Sequence, residues 1–457
     1  MPSHNPYDPD RDEPESDNPL SLSRRNILKH GTAAIVGGGA ALLSGAPTFA
    51  QAPSVVTQPA SRTAGQKFRA LVRYRTSLDI QELTLLQIQP REVVIRVQAG
   101  QACYTQVGAL DTRAPVANAN VFGHGAVGVV EEVGPMVKRV QVGDRVIVGV
   151  RGQCGECFEC LAGRGNRCDA AFNRYVGPVA TMSDGTPVTG DLGGFAELMV
   201  AWEEMCVPVF TKHSAAELSL IACVTMTGLG MAMLHGPVEP SSNVVVFGAG
   251  PVGLSAVQGA RIMGASKIIV VEPIRYRRDL ALKVGATTVL DPNAEGDSKA
   301  LLAKIVDLTK APTDRPFAGG RGGIANGPDV ILEAVGGERF VPRVERGPDP
   351  TGIEVLQQIY ALCPGGGWMK TSGVGFPAGA TVTFPAGVWT NGSKSHFSGN
   401  IGGTNVKRDY PRWVRLMETG QFDGRSLVGV TVPLDRWREA LEAAAYRTAI
   451  TGVVVFS

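Results

Sequence analysis

The chain has 457 residues, too many for one ordinary hydrophobic core, so two domains are expected. It is 44% hydrophobic and 19% charged, which is the composition of a globular protein. The formal net charge of +2 excludes a general electrostatic attraction to nucleic acid or to an anionic membrane surface. Function must therefore come from local motifs rather than from overall charge.

The first fifty residues predict an export signal rather than part of the fold. After a polar, acidic stretch, the segment SRRNILK carries Arg24 and Arg25 ahead of a short apolar run that ends in small residues near Ala50. This order predicts a twin-arginine signal over residues 1–50, with the twin-arginine export machinery as a partner and a periplasmic location. The alternative is a disordered tail that contains two chance arginines.

Two regions with different predicted secondary structure follow a linker over residues 51–66. Residues 67–215 are rich in strand-like runs such as FRALVRY and EVVIRVQAG, which predict a small β-barrel or curled sheet. In residues 216–397 strands alternate with helices, the pattern of a doubly wound parallel sheet. Residues 398–457 are predicted to return to the first domain, with two helices, YPRWVRLMETG and LDRWREALEAAAY, and a final apolar strand, GVVVFS. The predicted fold class is therefore α/β.

A compact cysteine cluster occupies residues 154–168, CGECFECLAGRGNRC. Its spacing is C-x2-C-x2-C-x7-C, and four thiolates on one tight loop can surround a zinc ion tetrahedrally in a closed structural site. Two disulfides or an iron–sulfur cluster are the alternatives. The four candidate ligands are Cys154, Cys157, Cys160 and Cys168.

A glycine motif, GAGPVG, follows the predicted strand VVVF and opens a predicted helix. In this context Gly248 allows a tight turn, Gly250 lets the backbone approach a pyrophosphate, and Gly253 allows close helix–strand packing. The pyrophosphate would lie on the helix N-terminus, beside Pro251 and Val252.

The charged residues that follow bear on the choice of cofactor. Glu272, 24 residues after Gly248, can bind both ribose hydroxyls and favours NAD. Arg275, Arg277 and Arg278 leave NADP open as the less favoured cofactor, since an arginine can bind a 2′-phosphate.

Several of these motifs together resemble the zinc-dependent medium-chain alcohol dehydrogenase family. The segments GHGAVGVVEEVG, VGDRVIV, the cysteine cluster, GAGPVG with Glu272, PDVILEAVGG and PGGGWMKTSGVG agree with that family in order and spacing. The resemblance covers residues 67–457. It implies a GroES-like catalytic barrel joined to a Rossmann coenzyme domain, and a homodimer or homotetramer.

The resemblance also implies a second zinc site, which spacing alone does not connect. It assigns the catalytic zinc to Cys103, His124 and Cys223, with the Thr105 hydroxyl relaying a proton and Thr227 touching the nicotinamide. The implied reaction is hydride transfer between an alcohol, or an aldehyde or ketone in reverse, and NAD. A polyol or sugar dehydrogenase, and an exported zinc-binding scaffold without turnover, are the alternatives.

Three residues depart from the pattern of that family. Gly125 stands where the family usually has an acid after the zinc-binding histidine, and Gln106 where it often has an aspartate. Tyr104 replaces a basic residue or histidine, so one pyrophosphate contact is expected to be missing. The export signal adds a further expectation, that NAD(H) is loaded before export, stays bound, and is reoxidised in place by a second substrate or an external electron acceptor.

Overall fold

The computed structural model describes residues 60–170, 177–190, 192–310 and 327–457. The predicted export signal, and the linker up to residue 59, lie outside the described residues. All eight cysteines lie within them, and none is joined in a disulfide.

Among the described residues before 210 there are ten strands and one short helix, and Asp169 and Ala170 are also helical. The helix is α1 (Phe158–Leu161), and short 3₁₀ turns cover Tyr104–Leu110, Gly165–Arg167 and Glu203–Met205. The strands are β1 (Lys67–Arg75), β2 (Ser77–Leu85), β3 (Glu92–Gln101), β4 (Val116–Val121), β5 (Ala126–Val133), β6 (Arg145–Val148), β7 (Pro178–Thr181), β8 (Pro187–Thr189), β9 (Leu198–Trp202) and β10 (Cys206–Pro208).

These strands form a closed barrel and part of a second sheet. The barrel order is β1-β2-β7-β8-β4, and it closes where β4 pairs antiparallel with β1. In the second sheet β3 is central, because it pairs antiparallel with both β5 and β9. The buried faces of these strands are mostly valine, isoleucine and leucine, which suit a pleated and packed surface. The prediction of a GroES-like barrel domain is confirmed.

The coenzyme domain alternates strands and helices. Its helices are α2 (Ala215–Leu220), α3 (Met226–Met233), α4 (Pro251–Ile262), α5 (Arg275–Val284), α6 (Ser298–Thr309), α7 (Ile353–Leu362) and α8 (Ala386–Asn391). Its strands are β11 (Asn243–Phe247), β12 (Lys267–Val271), β13 (Thr288–Leu290), β14 (Val330–Glu333), β15 (Trp368–Thr371) and β16 (Ser395–Ser398).

The six strands of this domain form one parallel sheet in the order β13-β12-β11-β14-β15-β16. Strands β11 and β12 read NVVVF and KIIVV, and four of the five residues of each are buried. Continuous apolar strands of this kind are expected where helices cover both faces of a parallel sheet. The predicted Rossmann sheet is confirmed.

The end of the chain adds two strands to the second sheet of the barrel domain. These are β17 (Val430–Pro433) and β18 (Gly452–Val455), and β18 pairs antiparallel with β3. The accompanying helices are α9 (Val406–Glu418) and α10 (Trp437–Ala445), with 3₁₀ turns at Asn400–Gly403, Arg425–Leu427 and Leu434–Arg436. Helix α9 begins four residues before the predicted segment and accommodates Pro411, which lies in its second turn.

Helices α2 and α3 are continuous through a π-helical turn at Ile221–Thr225. The combined helix, Ala215–Met233, is long and apolar enough to cross a membrane by length and composition, with a mean hydropathy of 1.5. However, 83% of the residues in its most apolar window are buried inside the protein. This is the pattern of a core helix, and here it lies against both the barrel-side sheet and the Rossmann domain.

Candidate active site

A cleft with a volume of about 680 Å³ lies between the two domains. Both domains contribute to its walls, and polar groups alternate with apolar side chains. It is of the size and kind that commonly holds a small-molecule ligand or cofactor. Among the residues that line it are Cys103, Thr105, His124, Cys223, Thr227, Gly250, Pro251, Val252 and Arg277.

Three of these residues come together as a possible metal site. The ligand atoms of Cys103, His124 and Cys223 all lie within 4.8 Å of one another. The His124 Nε2 atom is 3.2 Å from the Cys223 sulfur, and the two sulfurs are 4.0 Å apart. The residues are separated by up to 120 positions in the chain, so the fold alone brings them together.

Different elements position each of the three side chains. Cys103 directly precedes the 3₁₀ turn that follows β3, and His124 lies between β4 and β5. Cys223 lies within the π-helical turn, a type of helix irregularity that is frequent at functional sites. The three ligands are therefore held by two strand ends and one rigid core helix.

The Cys103 and Cys223 sulfurs are linked by a hydrogen bond. The hydrogen bond from the Cys223 thiol, with charge and hydrogen-bonding contributions from His124, lowers the pKa of Cys103 well below its usual value. The same hydrogen bond, together with burial, raises the pKa of Cys223 well above its usual value. A cation that replaced the proton of this hydrogen bond would meet two sulfurs and an imidazole, the Cys₂His donor set that alcohol dehydrogenases use for catalytic zinc. The donor set therefore fits zinc.

The structure explains the departures at Gly125 and Gln106. A Cβ atom at Gly125 would lie 2.5 Å from the Val148 carbonyl oxygen and 2.7 Å from the Ala222 methyl carbon, so no side chain fits there. The Gln106 side chain accepts the backbone N–H of Cys103 at 3.3 Å. A neutral amide therefore orients the backbone beside a metal-site cysteine, at a position where the family often has a carboxylate.

The glycine motif forms the turn between β11 and α4. Gly248 has a φ of +88°, which favours glycine, and a Cβ at Gly253 would lie 1.8 Å from the Gly248 carbonyl oxygen. Pro251 is the first residue of α4, where its missing N–H costs nothing. The helix N-terminus lines the cleft at Gly250, Pro251 and Val252, as an anion-binding turn requires.

Glu272 and Arg277 lie next to this turn. The Glu272 carboxylate is buried, and it accepts the backbone N–H groups of Ala249 at 2.6 Å and Ile274 at 3.0 Å. Arg277 is 8% exposed and lines the cleft, with its Nε donating to the Tyr276 hydroxyl at 3.2 Å. The Glu272 carboxylate thus stabilises the glycine turn through hydrogen bonds, while the Arg277 side chain lines the cleft next to that turn.

The two predicted hydroxyl residues also line the cleft. Thr105 lies in the 3₁₀ turn after Cys103 and is exposed, whereas the buried Thr227 donates its hydroxyl to the Cys223 carbonyl at 2.9 Å. Thr227 therefore couples the π-helical turn to helix α3.

The four clustered cysteines also come together, away from the cleft. Their sulfur atoms all lie within 4.8 Å of one another, and the Cys154 and Cys160 sulfurs are 3.9 Å apart. Backbone N–H groups point at them, since Cys157 donates to the Cys154 sulfur and Cys154 donates to the Cys168 sulfur, both at 3.3 Å. Four sulfurs in one such cluster fit a closed tetrahedral zinc site.

Comparison with known proteins agrees with this arrangement. Residues 89–211 match the model of the alcohol dehydrogenase GroES-like domain, and residues 251–344 match that of the zinc-binding dehydrogenase domain. A geraniol dehydrogenase from Castellaniella defragrans is 31% identical over 377 residues, which cover 80% of this chain and 91% of the relative.

The chain belongs to the zinc-type medium-chain alcohol dehydrogenase family. Another member, the NDMA-dependent alcohol dehydrogenase of Amycolatopsis methanolica, is 29% identical over 399 residues, 83% of this chain and 95% of that enzyme. The crystal structure of benzyl alcohol dehydrogenase from Acinetobacter calcoaceticus superimposes with a TM-score of 0.71 at 26% identity, over 86% of this chain and all of that one. This alcohol dehydrogenase family member is accordingly an oxidoreductase.

The cleft residues of this alcohol dehydrogenase that were not predicted from its sequence include two arginines. Arg447 lines the cleft from the segment after α10 and has a left-handed backbone with a φ of 59°. Arg151 lines the cleft just before the cysteine cluster. Neither residue lies in a motif, and the unusual backbone of Arg447 has no sequence signal such as glycine or asparagine.

Proposed function

We propose that the protein is a zinc- and NAD(H)-dependent dehydrogenase that transfers a hydride between a small alcohol and the nicotinamide. One observation carries the proposal: Cys103, His124 and Cys223 converge in the same cleft as the glycine turn at Gly248–Gly253. A metal ligand set and a dinucleotide turn have to share a cleft if both are to reach the same substrate carbon.

Different residues of the cleft have different roles in this proposed reaction. A zinc ion bound by the three ligands would supply Lewis-acid polarisation of the substrate oxygen, and a nicotinamide would accept the hydride. Thr105 lies two residues beyond Cys103 and is exposed in the cleft, where its Oγ1 can accept the proton of the substrate alcohol while its own hydroxyl proton passes to solvent. Apolar side chains that reduce the room for water also line the cleft; they include Val150, Leu192, Val224 and Ile401.

Small apolar alcohols suit this cleft better than polyols or sugars. A site that selects a sugar needs hydrogen-bonding side chains for several hydroxyls, because buried polar groups left unpaired cost binding energy. Here the wall does carry hydroxyl groups, among them those of Thr371, Ser372 and Ser398, but its surface is more apolar than polar and includes valine, leucine and isoleucine side chains. The names of the geraniol and benzyl alcohol dehydrogenases among its relatives point the same way.

The position of Glu272 supports NAD over NADP. Its buried carboxylate is fixed by the N–H groups of Ala249 and Ile274 at the end of β12, where a negative charge disfavours a 2′-phosphate. Arg277 lies close enough to Gly250 to contact a pyrophosphate instead, since a Cβ at Gly250 would be 3.8 Å from its Nη1 atom.

Metal analysis combined with a substrate panel tests the proposed function. We expect two zinc ions per chain, reduction of NAD⁺ by small alcohols, and weaker binding of NADPH than of NADH in fluorescence titrations. One zinc ion per chain and no reduction of NAD⁺ or of a redox dye with any alcohol would instead indicate a scaffold without turnover.

We also propose that the chain is exported in a folded state by the twin-arginine route, with zinc bound beforehand. The segment Ser23–Lys29 supports this, and zinc bound in the cytoplasm would protect the thiolates from oxidation outside it. Replacing Arg24 and Arg25 with lysine is expected to keep the full chain in the cytoplasm. Immunoblots of cell fractions measure this, and equal periplasmic amounts of wild type and variant would contradict the route.

A further inference from the structure

A loop of the coenzyme domain, residues 338–350, bridges to the catalytic domain along one rim of the cleft. We call this loop the strap. It begins five residues after β14 and ends shortly before α7, and its ends are tied together because the Glu338 N–H donates to the Pro350 carbonyl at 2.8 Å. The strap has no regular secondary structure, so its position depends on its contacts.

The first contact fastens the strap beside the candidate metal site. The Tyr104 hydroxyl accepts the backbone N–H of Arg339 at 2.8 Å and donates to the Gly337 carbonyl at 3.3 Å. The Arg339 guanidinium donates to the Thr105 carbonyl at 3.3 Å. Tyr104 is one of the residues that depart from the family pattern, and here it joins the two domains.

The second contact is a pair of ionic hydrogen bonds to one buried carboxylate. The Glu338 carboxylate, whose side chain is 8% exposed, accepts from Arg447 at 3.2 Å and from Arg346 at 2.8 Å. Arg447 belongs to the catalytic domain and lines the cleft, whereas Arg346 belongs to the strap itself. Partly buried pairs of this kind are less screened than surface pairs.

The third contact lies further along the strap. The Arg343 guanidinium stacks 3.6 Å from the centre of the Tyr446 ring, and the Arg343 N–H donates to the Tyr446 carbonyl at 3.0 Å. Phe340 packs edge-on against the same ring at 5.7 Å. Cation–π and aromatic contacts therefore add to the hydrogen bonds that hold the two domains together.

The strap also reaches the other half of the coenzyme domain. Glu345 accepts the N–H of Arg275, the first residue of α5, at 3.3 Å, and the Arg346 carbonyl accepts from Asn293 at 3.1 Å. These partners follow β12 and β13, while the strap itself follows β14. It therefore spans the carboxyl ends of these parallel strands, the edge where doubly wound sheets bind their ligands.

We propose that the strap is a clamp that retains the nicotinamide cofactor between turnovers. This inference rests on the proposed function, because it presumes that a nicotinamide binds in the cleft. Release of a nucleotide from a cleft between two domains requires the domains to part, and here they cannot part until the contacts of Tyr104, Glu338 and Arg343 break. The cofactor is held as a slowly exchanging group rather than as a freely dissociating substrate.

Release of bound NADH from the full-length protein tests the clamp. The protein is loaded with NADH, desalted, and mixed with excess NAD⁺, and the loss of bound-nicotinamide fluorescence gives the release rate. The test variants are Arg343→Ala and Glu338→Gln, combined in one chain, since neither residue lines the cleft. The control is Arg436→Ala, which removes an arginine whose side chain is 60% exposed, as that of Arg343 is.

The double variant is expected to release NADH at least about tenfold faster than wild type, while the control matches wild type. Equal release rates in wild type and the double variant, with NADH bound to both, would overturn the clamp and leave the proposed function standing. Failure of the wild type to bind any NADH would overturn the proposed cofactor, and the clamp with it. Unchanged melting temperatures would show that faster release does not come from unfolding.

Discussion

Cys223→Ser is expected to give a folded protein whose alcohol oxidation falls by at least about 1,000-fold, because a lost ligand removes several kcal/mol of transition-state stabilisation. A serine hydroxyl does not ionise near neutral pH, so it cannot replace a thiolate as a zinc ligand. The helix around Cys223 should tolerate the change, because it is also held by hydrogen bonds that do not involve the sulfur. The Thr227 hydroxyl donates to the Cys223 carbonyl, and the Tyr410 hydroxyl donates to the Ala222 carbonyl. Turnover per folded molecule, and zinc content, are the measurements.

Cys206→Ser provides a matched control for this prediction. Cys206 is also buried, at 2% exposure, but it does not line the cleft, and its sulfur donates a hydrogen bond to the Trp202 carbonyl. The Cys206→Ser control is expected to show normal turnover and to bind two zinc ions per chain. The Cys223→Ser variant is expected to bind one zinc ion per chain. Normal turnover in Cys223→Ser itself would show that the catalytic ligand set is wrongly assigned.

Cys157→Ser is expected to damage the fold of the cysteine cluster more than the chemistry of the cleft. Among the described residues around the cluster, regular structure consists of the four-residue helix α1, the three-residue turn Gly165–Arg167 and the helical residues Asp169 and Ala170, and Phe158 and Leu161 are 71% and 75% exposed. With so little core of its own, this segment depends on metal binding for its folding energy. We expect loss of one zinc ion, a lower melting temperature and proteolysis within residues 154–168.

The same cluster also distinguishes zinc from disulfides. Zinc ligation requires four thiolates, so mass spectrometry of the denatured protein after alkylation should find all four cysteines modified. Two disulfides would instead block alkylation until a reductant is added, and Cys157→Ser would then leave the zinc content unchanged. That pair of results would contradict a structural zinc in this cluster.

Much of the fold could be predicted because its patterns are local. Apolar runs such as NVVVF and KIIVV, each followed by a helical segment, already specify a parallel sheet, and the turn at Gly248 marks its first crossover. The four clustered cysteines lie within 15 residues, so the local chain conformation is enough to bring their sulfur atoms together. In these regions neighbouring residues decide the structure.

The candidate active site could not be derived in the same way. Cys103 and Cys223 lie 120 residues apart, and only the resemblance to a family connected them before the structure did. The strap contacts of Tyr104 and Glu338 depend on how the two domains meet, which no periodicity encodes. Lys370 is a similar case, since it lies in an apolar strand with its amine fully buried against the carbonyls of Met231 and Leu234.

The crowding around Gly125 has a consequence for anyone who wishes to re-engineer this enzyme. With the Val148 oxygen and the Ala222 methyl group occupying the space of a Cβ, a library that randomises this position should return glycine alone among functional clones. Of the two positions beside the candidate metal ligands where the family has an acid, Gln106 is therefore the one that can still accept a carboxylate. There a single glutamine-to-glutamate change could restore a carboxylate without moving the main chain.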